Sequence, residues 1–189
     1  MIFNLPTDSQ IPRVGIIGAG FSGTMVLANI VAKAKGPLHI ELFEKGESLA
    51  SGIAYGTNDA SHLLNVRAAN MGAFGGKPTD FYEWLQTDAG KEQTAAICPQ
   101  QPIEKHSFLP RMLYGAYLKA IYEQAMITAK EKDIEIHVHH GQVIDAELTD
   151  PETQQLLLSV SKGGIVKEVL VDALVLATGN LPPRRFSFQ

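Results

Sequence analysis

Short apolar runs and amphipathic stretches alternate along the chain. Val14 to Ile17 is apolar and ends at a glycine, the pattern of a parallel strand buried on both faces. Phe21 to about Lys35 is compatible with a helix, and Gly36-Pro37 stop it. Leu38 to Phe43 alternates again and predicts a second strand. Strand, tight turn, helix and strand within roughly thirty residues make a βαβ unit.

Regularity then fails. From Glu44 to Leu109 the pattern predicts a single helix, Thr79 to Gln86, with Thr79 as its cap. Ala50 to Lys77 is rich in glycine and asparagine, and a loop this long in a compact domain is functional or disordered. Its leucines, Tyr55, Met71 and Phe74 argue against disorder, so a bound ligand is expected to order it. Regular pattern resumes at Pro110 to Lys132, a long helix with Pro110 in the first helical position and Leu113, Tyr117, Ala120 and Ile121 on one stripe. Ile134 to His139 predicts a third strand. Val143 to Leu148, Leu156 to Ser161 and Ile165 to Val171 predict three antiparallel strands, with turns at Asp150-Pro151 and Gly163-Gly164. "ALVLATGN", Ala173 to Asn180, reads as an apolar strand running into a glycine turn. Residues 1–12, with Pro6 and Pro12, read as a flexible lead-in, and 13–189 as one α/β domain.

Composition narrows the function classes. Sixteen basic and twenty acidic side chains give a net charge of −4, against a general nucleic-acid binder. A single cysteine, Cys98, excludes an intrachain disulfide framework and reads as a small, at least partly buried side chain. The N-terminus has no signal-peptide pattern and no apolar stretch reaches membrane-spanning length, so a cytoplasmic protein is expected.

The chemistry concentrates at "GAGFSG", Gly18 to Gly23. This G-x-G-x-x-G follows a predicted strand, opens a predicted helix, and precedes an acid, Glu44, by about twenty residues. Gly18 allows the tight turn, Gly20 lets backbone approach a pyrophosphate, and Gly23 lets helix and strand pack closely. The helix N-terminus supplies N–H groups and partial positive charge to the phosphates. Glu44 can accept from ribose hydroxyls and repels a 2′-phosphate, which disfavours NADP at this site. NAD and FAD share the fingerprint, so spacing alone does not choose between them.

Other residues invite a reading and carry less. "HVHHG" puts His137 and His139 on one strand face with no cysteine or carboxylate cluster beside them, so strand-end histidines are expected and no metal. Arg111, Tyr114 and Tyr117 fall on one side of the long helix, where packing explains the tyrosines as well as a ligand does. Trp84 reads as an anchor for its small helix. There is no nucleophile–base constellation to nominate, and the catalytic residues stay unassigned.

The arrangement resembles the FAD-binding domain of the two-dinucleotide-domain flavoproteins, the group containing glutathione reductase and the flavin monooxygenases. In that group an antiparallel meander precedes a strand ending in A-T-G beside the flavin, and Ala177-Thr178-Gly179 matches it. "GFSGT", "GIAYGT", "HLLNV", "LYGAYL" and "LVLATGNLPP" together resemble the bacterial FAD/NAD(P)-binding family, related to N-hydroxylating flavin monooxygenases. After "HLLNV" the family pattern leads one to expect proline, and this chain has Arg67. The resemblance implies a Rossmann-like FAD-binding domain, with a central parallel sheet, helices and a three-stranded antiparallel meander. It also implies cofactor contacts from Gly18, Gly20, Phe21, Ser22, Gly23, Glu44 and Lys45. Further contacts fall to Gly52, Tyr55, Asn65, Met71, Arg111, Val143, Ala177, Thr178 and Gly179. The family continues beyond the A-T-G, so the chain reads as part of a longer flavoprotein whose NAD(P)H site and small-molecule substrate lie in the full-length protein. The rival reading is a non-catalytic FAD- or NAD-binding module.

Overall fold

The computed structural model describes residues 11–149 and 154–180. The Asp150-Pro151 turn and the lead-in as far as residue 10 lie outside them. The βαβ unit is present as β1 (Arg13–Ile17), α1 (Phe21–Lys33) and β2 (Leu38–Glu44). Pro12, assigned to the lead-in, already belongs to the sheet edge, because its carbonyl accepts the His39 N–H at 2.9 Å.

Four short helical segments stand in the region expected to hold one: α2 (Gly52–Tyr55), a 3-10 turn at Ala68–Asn70, α3 (Asp80–Leu85) and α4 (Asp88–Ile97). Thr79 does not cap α3 with its side chain. Its backbone is helical (φ −89°, ψ −1°) and its hydroxyl donates to Glu83 Oε1 at 2.7 Å, whereas a capping residue needs an extended backbone. The long helix is α5 (Arg111–Glu131), and Pro110 is its N-cap residue rather than its first helical residue. Then follow β3 (Ile134–His140), β4 (Gln142–Leu148), β5 (Leu156–Lys162), β6 (Ile165–Val171) and β7 (Ala173–Leu176).

The strands form two sheets. One is parallel, in the order β3-β2-β1-β7, and the other is the antiparallel meander β4-β5-β6. Alternation along the parallel strands makes two cores. Ile16, Ile40 and Leu42 point to the side of α1 and α5, where they join Leu27, Val31, Leu113 and Leu118. Phe43 points the other way and packs with Leu158, Val160 and Val171 of the meander. The meander thus covers the face that the helices leave open, and β7 re-enters the sheet beside β1. This brings the A-T-G segment next to the glycine turn, at the carboxyl edge of the sheet where open α/β folds bind ligands.

Candidate functional site

Gly18 follows β1 with φ of +98°, and a Cβ there would stand 2.4 Å from the carbonyl oxygen of Ala177. Gly23 faces the turn from within α1, where a Cβ would fall 1.8 Å from Gly18 O. Neither position has room for a side chain. Gly20 is the N-cap of α1 with φ of −75°, and a Cβ on it would meet only Gly52, at 3.4 Å from its Cα. Gly52 itself takes φ of +59°. Two bare backbones therefore pack against one another at the start of α1.

That start is short of hydrogen-bond acceptors. No side chain caps α1 and no acid lies in its first turn. Among the described residues, the N–H groups of Gly20, Phe21 and Ser22 make no hydrogen bond. Such donors at the positive end of a helix are suited to an anion that approaches the backbone closely. A nucleotide pyrophosphate fits this donor set beside bare glycine backbone.

Glu44 closes the other side. It ends β2 half-buried, its Oε2 accepting from Ala19 N–H at 2.9 Å and its Oε1 from Gly46 N–H at 2.9 Å. A carboxylate offers about four acceptor positions, so roughly two stay open for ribose hydroxyls. Ala19 O in turn accepts the Ala50 N–H at 2.7 Å, drawing the segment before Gly52 over the turn. Ala50 is fully buried in a left-handed conformation (φ 71°). Lys45 is exposed beside Glu44. Gly141 N–H donates to Glu44 O at 2.9 Å, so β4 starts beside Glu44, and Val143 sits half-buried against the Phe43 core.

The remaining predicted residues divide. Ala177 N–H donates to Ile17 O at 2.8 Å, which holds Ala177 and Thr178 against Gly18, and Gly179 turns the chain with φ of +68°. Tyr55 reaches the site through aromatic contacts. Its ring centroid lies 4.6 Å from Tyr114 and 6.3 Å from Phe21. Burial pushes the Tyr55 and Tyr114 phenols above their ordinary pKa. Arg111 holds the strap before the 3-10 turn, its Nε donating to Leu63 O at 3.1 Å and its N–H to His62 O at 2.8 Å. Asn65 is exposed on that strap, whereas Met71 packs against the helix-side core. The glycine turn, Glu44, Gly52 and Ala177 thus form one constellation, and Asn65 and Met71 stand apart from it. Ala19 and Ala50 are the residues that sequence reasoning missed. Both act through backbone groups, and no side-chain type marks them.

His137 and His139 have a carboxylate after all. Glu41 on β2 lies directly across from His137 and is 3% exposed. It meets His137 Nδ1 at 3.3 Å, His139 Nε2 at 2.6 Å and Arg13 Nε at 3.4 Å. Burial opposes its ionisation, but the hydrogen bonds from the two histidines outweigh it and hold the carboxyl below its ordinary pKa. Among the described residues no three histidine, cysteine or acidic side chains are arranged to hold a metal. Cys98 is half-buried, as expected, and burial raises its thiol pKa. No helix among the described residues is long and apolar enough to cross a membrane.

A family model described as FAD-NAD(P)-binding matches residues 15–181. The uncharacterised protein YdhS of Escherichia coli (strain K12) is 24% identical over 174 residues, which is 90% of this chain and 31% of YdhS. Among solved structures, Tmm from Pelagibacter sp. strain HTCC7211 superposes with a TM-score of 0.54 at 19% identity, over 91% of this chain and 38% of Tmm. The Kutzneria sp. 744 ornithine N-hydroxylase KtzI, described with reduced FAD, NADP+ and L-ornithine, gives 0.51 at 13% identity over 88% and 37%. The chain therefore spans between 31% and 38% of the length of these proteins.

Proposed function

This chain belongs to the FAD-NAD(P)-binding family, and we propose that it is the FAD-binding domain of a flavin-dependent oxidoreductase of monooxygenase type, using NAD(P)H in the full-length protein. One observation carries the reading: the N–H groups of Gly20, Phe21 and Ser22 lack acceptors at the start of α1, with Gly52 beside Gly20 and Glu44 a strand away. In it, those N–H groups and the α1 dipole hold the pyrophosphate. The free lone pairs of Glu44 accept from the adenosine ribose, and Lys45 and Val143 flank the adenosine end. Tyr55 and Phe21 wall the middle of the site, and Ala177 to Gly179 border the redox-active ring. Arg111 bounds the far side through the Leu63 strap.

FAD is preferred over NAD because the meander returns through β7 to set Ala177 beside Gly18, the arrangement of flavoprotein FAD domains. A bound flavin supplies the electron transfer, so the protein's part is binding, orientation and electrostatics. The substrate is a small molecule, in keeping with the ornithine named for KtzI. The test is spectroscopic. The full-length protein should be yellow, with flavin absorption that NAD(P)H bleaches anaerobically. Flavin that no reduced nicotinamide bleaches would leave a non-catalytic module, and a protein that takes up no flavin would end the proposal.

A further inference from the structure

A second cavity lies away from the glycine turn. It is a groove of about 610 Å³ between α1, α3 and α5. Its α1 wall, Ala28 and Val31, lies roughly 10–15 Å along the helix from Phe21, so it is separate from the proposed nucleotide site. Phe74, Trp84, Tyr117 and Ile121 line it with apolar and aromatic surface. The Trp84 and Tyr117 ring centroids are 5.6 Å apart and inclined at 53°.

The charges in this lining are of one sign. Its fourteen residues include Asp80 and Glu83 and no lysine, arginine or histidine. Neither carboxylate forms an ion pair among the described residues. Asp80 is half-buried and accepts the Tyr117 hydroxyl. That hydroxyl oxygen already accepts the Ala73 N–H at 3.3 Å, so its only proton is directed at Asp80 and fixes Asp80 as an acceptor. Glu83 Oε1 accepts the Thr79 hydroxyl at 2.7 Å and keeps further acceptor positions free. An apolar groove with two carboxylates and no basic side chain at one end, and the half-buried Trp84 indole beside them, is complementary to a cation carried on an apolar body.

We propose that this groove binds a small amphiphilic amine, with its ammonium against Asp80, Glu83 and the indole of Trp84, and its hydrocarbon along Phe74 and Ile121. The site does not depend on the flavin reading. Trp84 lines the groove, so its fluorescence responds to a ligand bound there. The experiment titrates the protein at pH 7 with octylammonium, 1-octanol and octanoate, each below micelle formation. Octylammonium should change Trp84 emission saturably and bind roughly tenfold more tightly than octanol, with octanoate weakest. In a D80N/E83Q double variant, which keeps shape and hydrogen bonding, octylammonium should fall to the octanol level. Equal binding of octylammonium and octanol by the unmodified protein would reduce the groove to an unselective apolar surface and overturn the proposal. Retention of the ammonium preference in the double variant would overturn it as well.

Discussion

Glu44 Oε2 accepts a hydrogen bond from the backbone N–H of Ala19 at 2.9 Å, tying the end of β2 to the middle of the glycine turn. One carboxylate therefore shapes the turn and, in the proposed complex, holds the ribose. These two duties are separable by substitution. Glu44→Ala loses a charge-assisted acceptor worth roughly 1.5–3 kcal/mol, so FAD affinity should fall by about one to two decades. Glu44→Gln keeps an acceptor and can still take the Ala19 N–H, so it should lose less. A titration in which Glu44→Ala binds FAD as tightly as the unmodified protein would remove Glu44 from the site.

The glycines should fail in different ways. A methyl at position 23 would lie 1.8 Å from Gly18 O, so Gly23→Ala should destabilise the fold itself, by roughly 1–3 kcal/mol or more. A methyl at position 20 has ordinary contact with Gly52 and an ordinary φ, so Gly20→Ala should melt within about 1 kcal/mol of the unmodified protein. It should nonetheless weaken FAD binding, because the methyl crowds the backbone that the pyrophosphate approaches. Thermal melts and FAD titrations on both variants separate these outcomes. A Gly20→Ala protein with full FAD affinity would refute the close-approach reading.

The Glu41 cluster predicts a pH dependence. Its carboxyl pKa is lowered on folding, so its contribution is present above the ordinary carboxylate range and lost as pH falls through the folded value. Stability should therefore drop from about pH 5 downward, and Glu41→Gln should flatten that slope while lowering stability near pH 7. Chemical denaturation at pH 7, 5 and 4 measures both. Parallel slopes for the two proteins would show that Glu41 is not the group responsible.

The βαβ unit, the meander and the glycine turn are legible in the sequence because each is written in residue type: apolar runs, paired glycines, an acid at a set distance. The segment between Glu44 and Leu109 is less so. Helix α4 carries no apolar stripe, and Gly90 in its first turn lowers its propensity. The structure gives Gly90 its reason, since a Cβ there would fall 2.2 Å from Trp84 O. The available signal for α4 was Thr87, whose hydroxyl accepts the Gly90 N–H at 3.1 Å, followed by Asp88 in the first turn. In the candidate site the glycines and Glu44 can be read in advance. The Ala19–Ala50 hydrogen bond cannot, because it depends only on backbone and on how the chain returns.

The loop itself should respond unevenly to ligand. Leu64 and Ala68 are buried and Leu63 bridges to Pro110, so this part is held by its own packing. The Ser51 to Tyr55 segment carries Ile53 at 83% exposure and has no buried residue within α2. FAD should slow amide exchange at residues 51–55 more than in α5, with little change at 64–68. Equal protection of residues 51–55 with and without FAD would show that the ligand does not order them.

In the proposed complex the acceptor-free N–H groups at the start of α1 hold the pyrophosphate of FAD. The direct test is to strip the purified protein of nucleotide, then titrate it with FAD, NAD and NADP by calorimetry. FAD should bind with one-to-one stoichiometry, ADP should compete with it, and NADP should bind weakest because its 2′-phosphate meets Glu44. Binding of NAD in preference to FAD, or no heat with FAD from a folded protein, would show that these N–H groups do not hold a flavin nucleotide.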